Sequence, residues 1–252
     1  MSQTRPSKEH YSYSAYADPA MARSFDSRRF GGPIGEYIAS SQARVLADMV
    51  GRITDRSIVD VGTGTGRAAI LMARGGARVT AVDASEQMLE VARKRAADQQ
   101  LKIRFLQRDA HALEFADREF DVAICLRVLM HTPDWQACLR ELCRVAGRLV
   151  IVDYPAAVSV ALVESISRKV VHTLGARTEA YRVFSDRSIR HTLELSNFRI
   201  RSTHRQFVMP IQLHKAIGSR RFTAWSEGVL DRVGLLKRFG SPVTVVAERC
   251  GP

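Results

Sequence analysis

Five short apolar runs alternate with helical stretches between Ser57 and Val152, and that alternation leaves few architectures open. Ile58–Val61, Val79–Asp83, Ile103–Leu106, Phe120–Cys125 and Leu149–Val152 read as buried strands, most of them rich in Val, Ile and Leu. Helices are expected over Arg67–Arg74, from a Ser85 cap to about Asp98, and from about Trp135 to Arg144. Met88, Leu89 and Ala92 form the apolar side of the second. Apolar strands separated by helices imply a parallel sheet covered on both faces. Right-handed crossovers make it doubly wound. Upstream, the first 50 or so residues read as a flexible start and a short helical segment. Gly31, Gly32, Pro33 and Gly35 punctuate it, and Ile38, Val45, Leu46 and Met49 give a stripe up to Gly51.

Ligands in such sheets bind beyond the carboxyl ends of the strands, so those ends select the residues that matter. After the first strand comes Asp60-Val-Gly62-Thr-Gly64-Thr-Gly66, a tight turn that opens a helix. The spacing is not that of a dinucleotide-binding turn, because Arg67 stands where the last glycine of that pattern falls. An acid two residues before the first glycine suits a ligand carrying an ammonium and no phosphate. Asp83 ends the second strand, where a carboxylate can accept both ribose hydroxyls. Asp109 follows the third and can accept from an exocyclic amine. One such Asp reads as a turn or helix cap; acids at three consecutive strand ends read as a site.

These residues carry a family resemblance. Asp60–Gly66, Ala81-Val-Asp83-Ala-Ser85, Arg108-Asp109-Ala110, Glu119-Phe-Asp121-Val and Arg140-Glu-Leu142 resemble the class I S-adenosylmethionine-dependent methyltransferases, in the broad group that includes quinone-biosynthesis C-methyltransferases. The resemblance covers residues 51–153 well and continues loosely to the last strand. It implies an α/β, Rossmann-like sheet of seven strands, doubly wound, with the last strand antiparallel and helical cap inserts. It implies S-adenosyl-L-methionine as cofactor, with Asp60 and Gly62 at the methionine end, Asp83 at the ribose, and Asp109 with Ala110 at the adenine. Thr63, Gly64, Gly66, Ala84, Met88 and Leu126 complete the expected cofactor contacts. Val145-Ala146-Gly147-Arg148 stands where the family commonly has Lys-Pro-Gly-Gly before the fifth strand.

Methyl transfer from a sulfonium is an in-line displacement with a good leaving group, so holding the reactants in line supplies much of the rate. A carboxylate or thiolate acceptor needs no base, whereas a phenol, amine or carbon acid benefits from one. No catalytic triad is visible. Arg127 and His131 follow the fourth strand, and Asp153 and Tyr154 end the fifth. Arg127 is expected to clamp an anionic group, and His131 to act as a base; Tyr154 is the third catalytic candidate. A structural ion pair for Arg127 and a packed helix-start position for His131 are the plainer readings.

Residues 1–50 are expected to form a lid, and residues 51–252 one methyltransferase domain with cap inserts at about 156–185 and 211–241. The later insert holds Arg220, Arg221, Phe222, Trp225, Lys237, Arg238 and Phe239; Tyr11, Tyr13 and Tyr16 lie near the start. Such a basic and apolar roof suits an anionic, amphiphilic small-molecule acceptor. Ordinary helical packing or a homodimer interface accounts for the inserts equally well.

Composition bears on the partner. Lys and Arg number 38 against 26 Asp and Glu, a net charge of +12. Residues 1–150 carry +4 of this and the remainder +8, which places the surplus on the acceptor side. An RNA-modifying methyltransferase is one alternative, but the marks of exocyclic-amine and cytosine-carbon methylation and a separate RNA-binding module are lacking. A non-catalytic cofactor-binding or membrane-surface module is another, with peripheral contact through the basic aromatic insert. Cys125, Cys138, Cys143 and Cys250 have no metal-ligand spacing, so no metal is expected. Reduced thiols, no signal peptide and no transmembrane run point to the cytoplasm.

Overall fold

The computed structural model describes residue 16 and residues 18–159 and 182–251. A seven-stranded sheet runs in the order β3-β2-β1-β4-β5-β7-β6. Its strands are β1 (Ser57–Val61), β2 (Arg78–Asp83), β3 (Ile103–Gln107), β4 (Phe120–Cys125), β5 (Ala146–Tyr154), β6 (Phe198–Phe207) and β7 (Ser241–Arg249). The first five are parallel, and β7 lies antiparallel between β5 and β6, as the resemblance implied. The order reverses between β1 and β4, which opens a crevice at their carboxyl ends.

Strand alternation sends side chains to two cores. Val59, Val61, Ala123 and Val150 pack on one face with Leu139, Leu142, Ile189 and Leu193. Ile58, Val79, Ile124 and Ile151 pack on the other with Leu46 and Met72. The helices are α1 (Pro19–Phe30), α2 (Gly32–Val50), α3 (Arg67–Arg74), α4 (Glu86–Ala97), α5 (Trp135–Val145) and α6 (Asp186–Leu195). Between β6 and β7 come α7 (Ile211–Ile217), α8 (Arg220–Arg232) and α9 (Leu235–Phe239), the later insert.

Two features differ from the sequence reading. The start of the chain holds two helices, of 12 and 19 residues, in place of one short segment. α1 has no apolar stripe and buries only Ala22; Asp18 caps it by accepting from the Ala20 amide at 2.8 Å. Strand β5 begins three residues early, at Ala146, directly after α5. Arg249 makes that junction: its Nη2 donates to the Cys143 carbonyl at 2.6 Å and the Ala146 carbonyl at 2.7 Å, satisfying acceptors at the helix end. The expected earlier insert at about 156–185 lies largely outside the described residues, as do Tyr11 and Tyr13.

Candidate active site

The glycine turn is built around Asp60. β1 aims this side chain at α3, whose N-cap is Gly66 and has no capping group of its own. Asp60 Oδ2 takes that place, accepting from the Ala69 amide at 3.1 Å and from Thr63 Oγ1 at 2.6 Å. Gly62 turns with φ +69°, and a Cβ there would stand 2.3 Å from Val128 Cγ2. Only glycine fits both constraints. Gly62 and Thr63 amides both donate to the Val82 carbonyl, and the Gly64 amide donates to Asp83 Oδ2 at 2.8 Å. The first two strand ends are thereby locked together.

Burial dominates the electrostatics. It raises the Asp60 carboxyl to about 6, against the lowering pull of Thr63 and Ala69. It also raises Asp83, although Asp83 accepts from the Ser85 and Gly64 amides. The negative charge of Asp83 lifts Asp60 a little further. Ionising two neighbouring carboxylates is disfavoured until a cation arrives.

At the third strand end, Asp109 Oδ1 accepts from the His111 amide at 2.9 Å and lies 2.6 Å from His111 Nδ1. His111 Nε2 is buried and has no partner among the described residues. The sequence reading passed over His111, although it stands two residues after Asp109.

Beyond β4 the chain turns sharply. Arg127 sits in the left-handed region at φ +64°, and its amide donates to Asp153 Oδ1 at 2.5 Å. Its Nε is buried and has no partner among the described residues. Asp153 is fully buried and raised by desolvation, with Arg127 and then Arg29 pulling it back down. A single 3-10 turn, Leu129–His131, follows. The His131 ring is buried and edge-on to Tyr16, centroids 6.0 Å apart.

Tyr154 goes the other way. It lies one residue past Asp153, so the strand pleat turns it into the opposite core, against Phe184. Its hydroxyl is 3.0 Å from Asp186 Oδ1, and burial beside that carboxylate pushes its pKa up. The structure therefore removes Tyr154 from the expected catalytic set.

Two adjoining cavities lie over these strand ends. The first, of about 230 Å³, is lined by Asp60, Gly62, Thr63, Gly64, Asp83, Ala84, Met88, Asp109, Ala110 and Leu126. That is every expected cofactor residue except Gly66, which serves as the α3 cap. The second, of about 430 Å³, is walled by α1, α2, the 208–215 segment and the ends of β5 and β7. Tyr16, Phe25, Arg29, Phe30, Gln42, Arg127 and His131 line both. The second cavity also holds Arg28 and Lys215, and no Asp or Glu among the described residues lines it. Three of the four cations among its described lining residues, Arg28, Arg29 and Arg127, come from the first 150 residues. Among the described residues, the later surplus is therefore not what makes this cavity basic.

Helix α1 roofs both cavities through polar ties. Asp26 accepts from Thr65 Oγ1 at 3.0 Å and pairs with Arg95. Arg67 stacks over the Phe30 ring at 3.6 Å, a use for the position where a dinucleotide turn has glycine.

Residues 58–147 match the family described as Methyltransferase domain. Demethylmenaquinone methyltransferase of Thermus thermophilus is 35% identical over 117 residues, 44% of this chain and 53% of that protein. Ubiquinone biosynthesis O-methyltransferase of Coxiella burnetii is 36% identical over 86 residues, 34% of this chain and 37% of that protein. The chain thus spans about half or less of the length of these curated relatives. Among solved structures, magnesium protoporphyrin IX methyltransferase from Synechocystis PCC 6803 with bound SAH superposes with a TM-score of 0.67. The match covers 95% of this chain and 98% of that one, at 20% identity, and shows the shared fold. The family match spans the glycine turn and all three strand-end acids, Asp60, Asp83 and Asp109, and the structural likeness shows the fold.

Proposed function

We propose that this chain transfers a methyl group from S-adenosylmethionine to a small, amphiphilic, anionic acceptor. The observation that carries the reading is the shared wall: one cavity built for a cation opens, past Arg127 and His131, onto a second that is basic and apolar. The buried, raised carboxyls of Asp60 and Asp83 fit the cofactor, since a sulfonium and an ammonium would stabilise their ionised forms. Asp60 would hold the ammonium end, Asp83 the ribose, and Asp109 with Ala110 the adenine. When bound, S-adenosylmethionine supplies a methyl group already activated on sulfur.

The remaining work falls to the chain. Arg127 and Arg29 orient the acceptor's anionic group, and the neutral side chains of Met21, Phe25, Phe30, Ile38 and Phe207 take its apolar body. His131 stands at the junction of the cavities, where it can accept a proton from an acceptor that must lose one. Helix α1 and Tyr16 exclude water, the role expected of a lid.

Radiolabelled cofactor incubated with fractionated extract should label a small acidic product. Arg127→Ala should lower kcat/KM for that acceptor by about 10- to 100-fold, the worth of a charge-assisted hydrogen bond. Cofactor affinity should hold. Label appearing in RNA, or unchanged kinetics in Arg127→Ala and Arg127→Lys, would remove this reading.

A further inference from the structure

Helix α8 turns one face inward and leaves another bare. Inward, Glu227 is buried and ties the insert to the end of β6. Its carboxylate accepts from the Val208 and Met209 amides at 2.8 and 3.0 Å and from His214 Nε2 at 2.9 Å. His214 Nδ1 in turn meets Thr223 Oγ1 at 3.1 Å. The neighbouring helix α7 gives Ile211, Gln212 and Lys215 to the wall of the basic cavity. The insert is thus firmly seated, with its inner side spent on the site.

Outward, the spacing 221, 225, 229, 232 marks a single stripe of α8. It reads Arg221, Trp225, Val229, Arg232. Trp225 is 66% exposed, Val229 38%, and Val233 and Leu235, which follow, 66% and 36%. A large aromatic so open to water is the unusual feature, since isolated exposed aliphatics need no explanation. Around these apolar groups stand Arg221, Arg232, Lys237 and Arg238, all exposed, and none forms an ion pair among the described residues. Asp231 is the one exposed carboxylate within α8 and α9. Arg220, by contrast, is engaged, pairing with Glu36 and donating to the Pro33 carbonyl at 2.9 Å.

We infer that this face of α8 and α9 docks on an anionic lipid surface. Charge complementarity selects that occupant. A second copy of the chain would bring the same cations against one another, whereas anionic headgroups would meet all four. Trp is the side chain best suited to a bilayer boundary, where an apolar ring and a polar N–H meet an apolar and a wet layer. The surface belongs to the same insert that walls the basic cavity, so docking would bring that cavity close to lipid-borne molecules. The inference does not depend on methyl transfer, because vesicle binding is read without turnover.

Trp135→Phe leaves Trp225 as the one indole, the chain having two Trp. With vesicles of phosphatidylcholine and phosphatidylglycerol, its emission should shift blue and be quenched by brominated acyl chains. Vesicles of phosphatidylcholine alone should leave both unchanged. Lys237→Gln with Arg238→Gln should lower partitioning about fivefold per cation removed. Trp225→Ala, an exposed change that leaves the fold intact, should lower it further. Equal binding to both vesicle types, or none, would overturn the inference. So would a blue shift that grows with protein concentration in the absence of lipid, which would assign the face to a dimer.

Discussion

Ser85 Oγ donates to the Tyr16 carbonyl across 2.6 Å, while the same oxygen accepts from the Met88 amide at 3.2 Å. One hydroxyl therefore caps α4 and fastens the chain that leads into α1. The Tyr16 ring then meets Phe25 and His131 edge-on, at 6.2 and 6.0 Å. Ser85→Ala should cost about 1 kcal/mol through the lost cap. It should also speed cofactor dissociation, followed by stopped-flow displacement of S-adenosylhomocysteine.

Asp60 makes cofactor binding depend on pH. Its carboxyl titrates near 6 in the folded, ligand-free protein against an ordinary 3.8, so between those values the folded state holds more protons than the unfolded chain. Stability contributed by this group is fully present below about 4 and is lost as pH rises through about 6. An ammonium in the cavity acts oppositely, favouring the carboxylate. Affinity for S-adenosylhomocysteine should fall as pH drops below 6, with protons released on binding near pH 5–6. Calorimetry in buffers of different ionisation enthalpy reads both. Asp60→Asn should reduce the proton release, leaving the part that belongs to Asp83.

Gly62→Ala meets a positive φ and a Val128 methyl at 2.3 Å. A loss of about 1–3 kcal/mol is expected in denaturant unfolding. Adding Val128→Ala should recover part of it by removing the clash and leaving the backbone strain.

Glu227→Gln should separate the two cavities in a kinetic experiment. The change replaces an acceptor serving three donors with an amide whose NH2 faces donors, at a cost of roughly 2 kcal/mol. It loosens the 208–215 wall of the basic cavity and touches nothing in the other. KM for the acceptor should rise several-fold while cofactor affinity stays within twofold.

The strands were legible because buried parallel strands need near-continuous Val and Ile, as in Ile58-Val59 and Val150-Ile151-Val152. The three acidic strand ends were legible for the same reason. Helix α1 was not, because what holds it is tertiary: Asp26 on Thr65 and Arg95, and Phe30 under Arg67. Local spacing carries no trace of partners 39 and 69 residues away. Tyr154 was misplaced by applying the strand-end rule without the pleat, which gives the site Asp153 and the core its neighbour. The Glu227–His214 tie joins residues whose pairing depends on two helices folding against each other, and nothing in their spacing announces it.

Phe25, Arg29 and Phe30 of α1 face both cavities at once. A single rigid element cannot expose one ligand and shelter the other. Under the proposed function, a movement of α1 that uncovers one cavity would uncover the other, and both products would leave through that same opening. The slowest motion of α1, rather than the bond-making step, would set the ceiling on turnover.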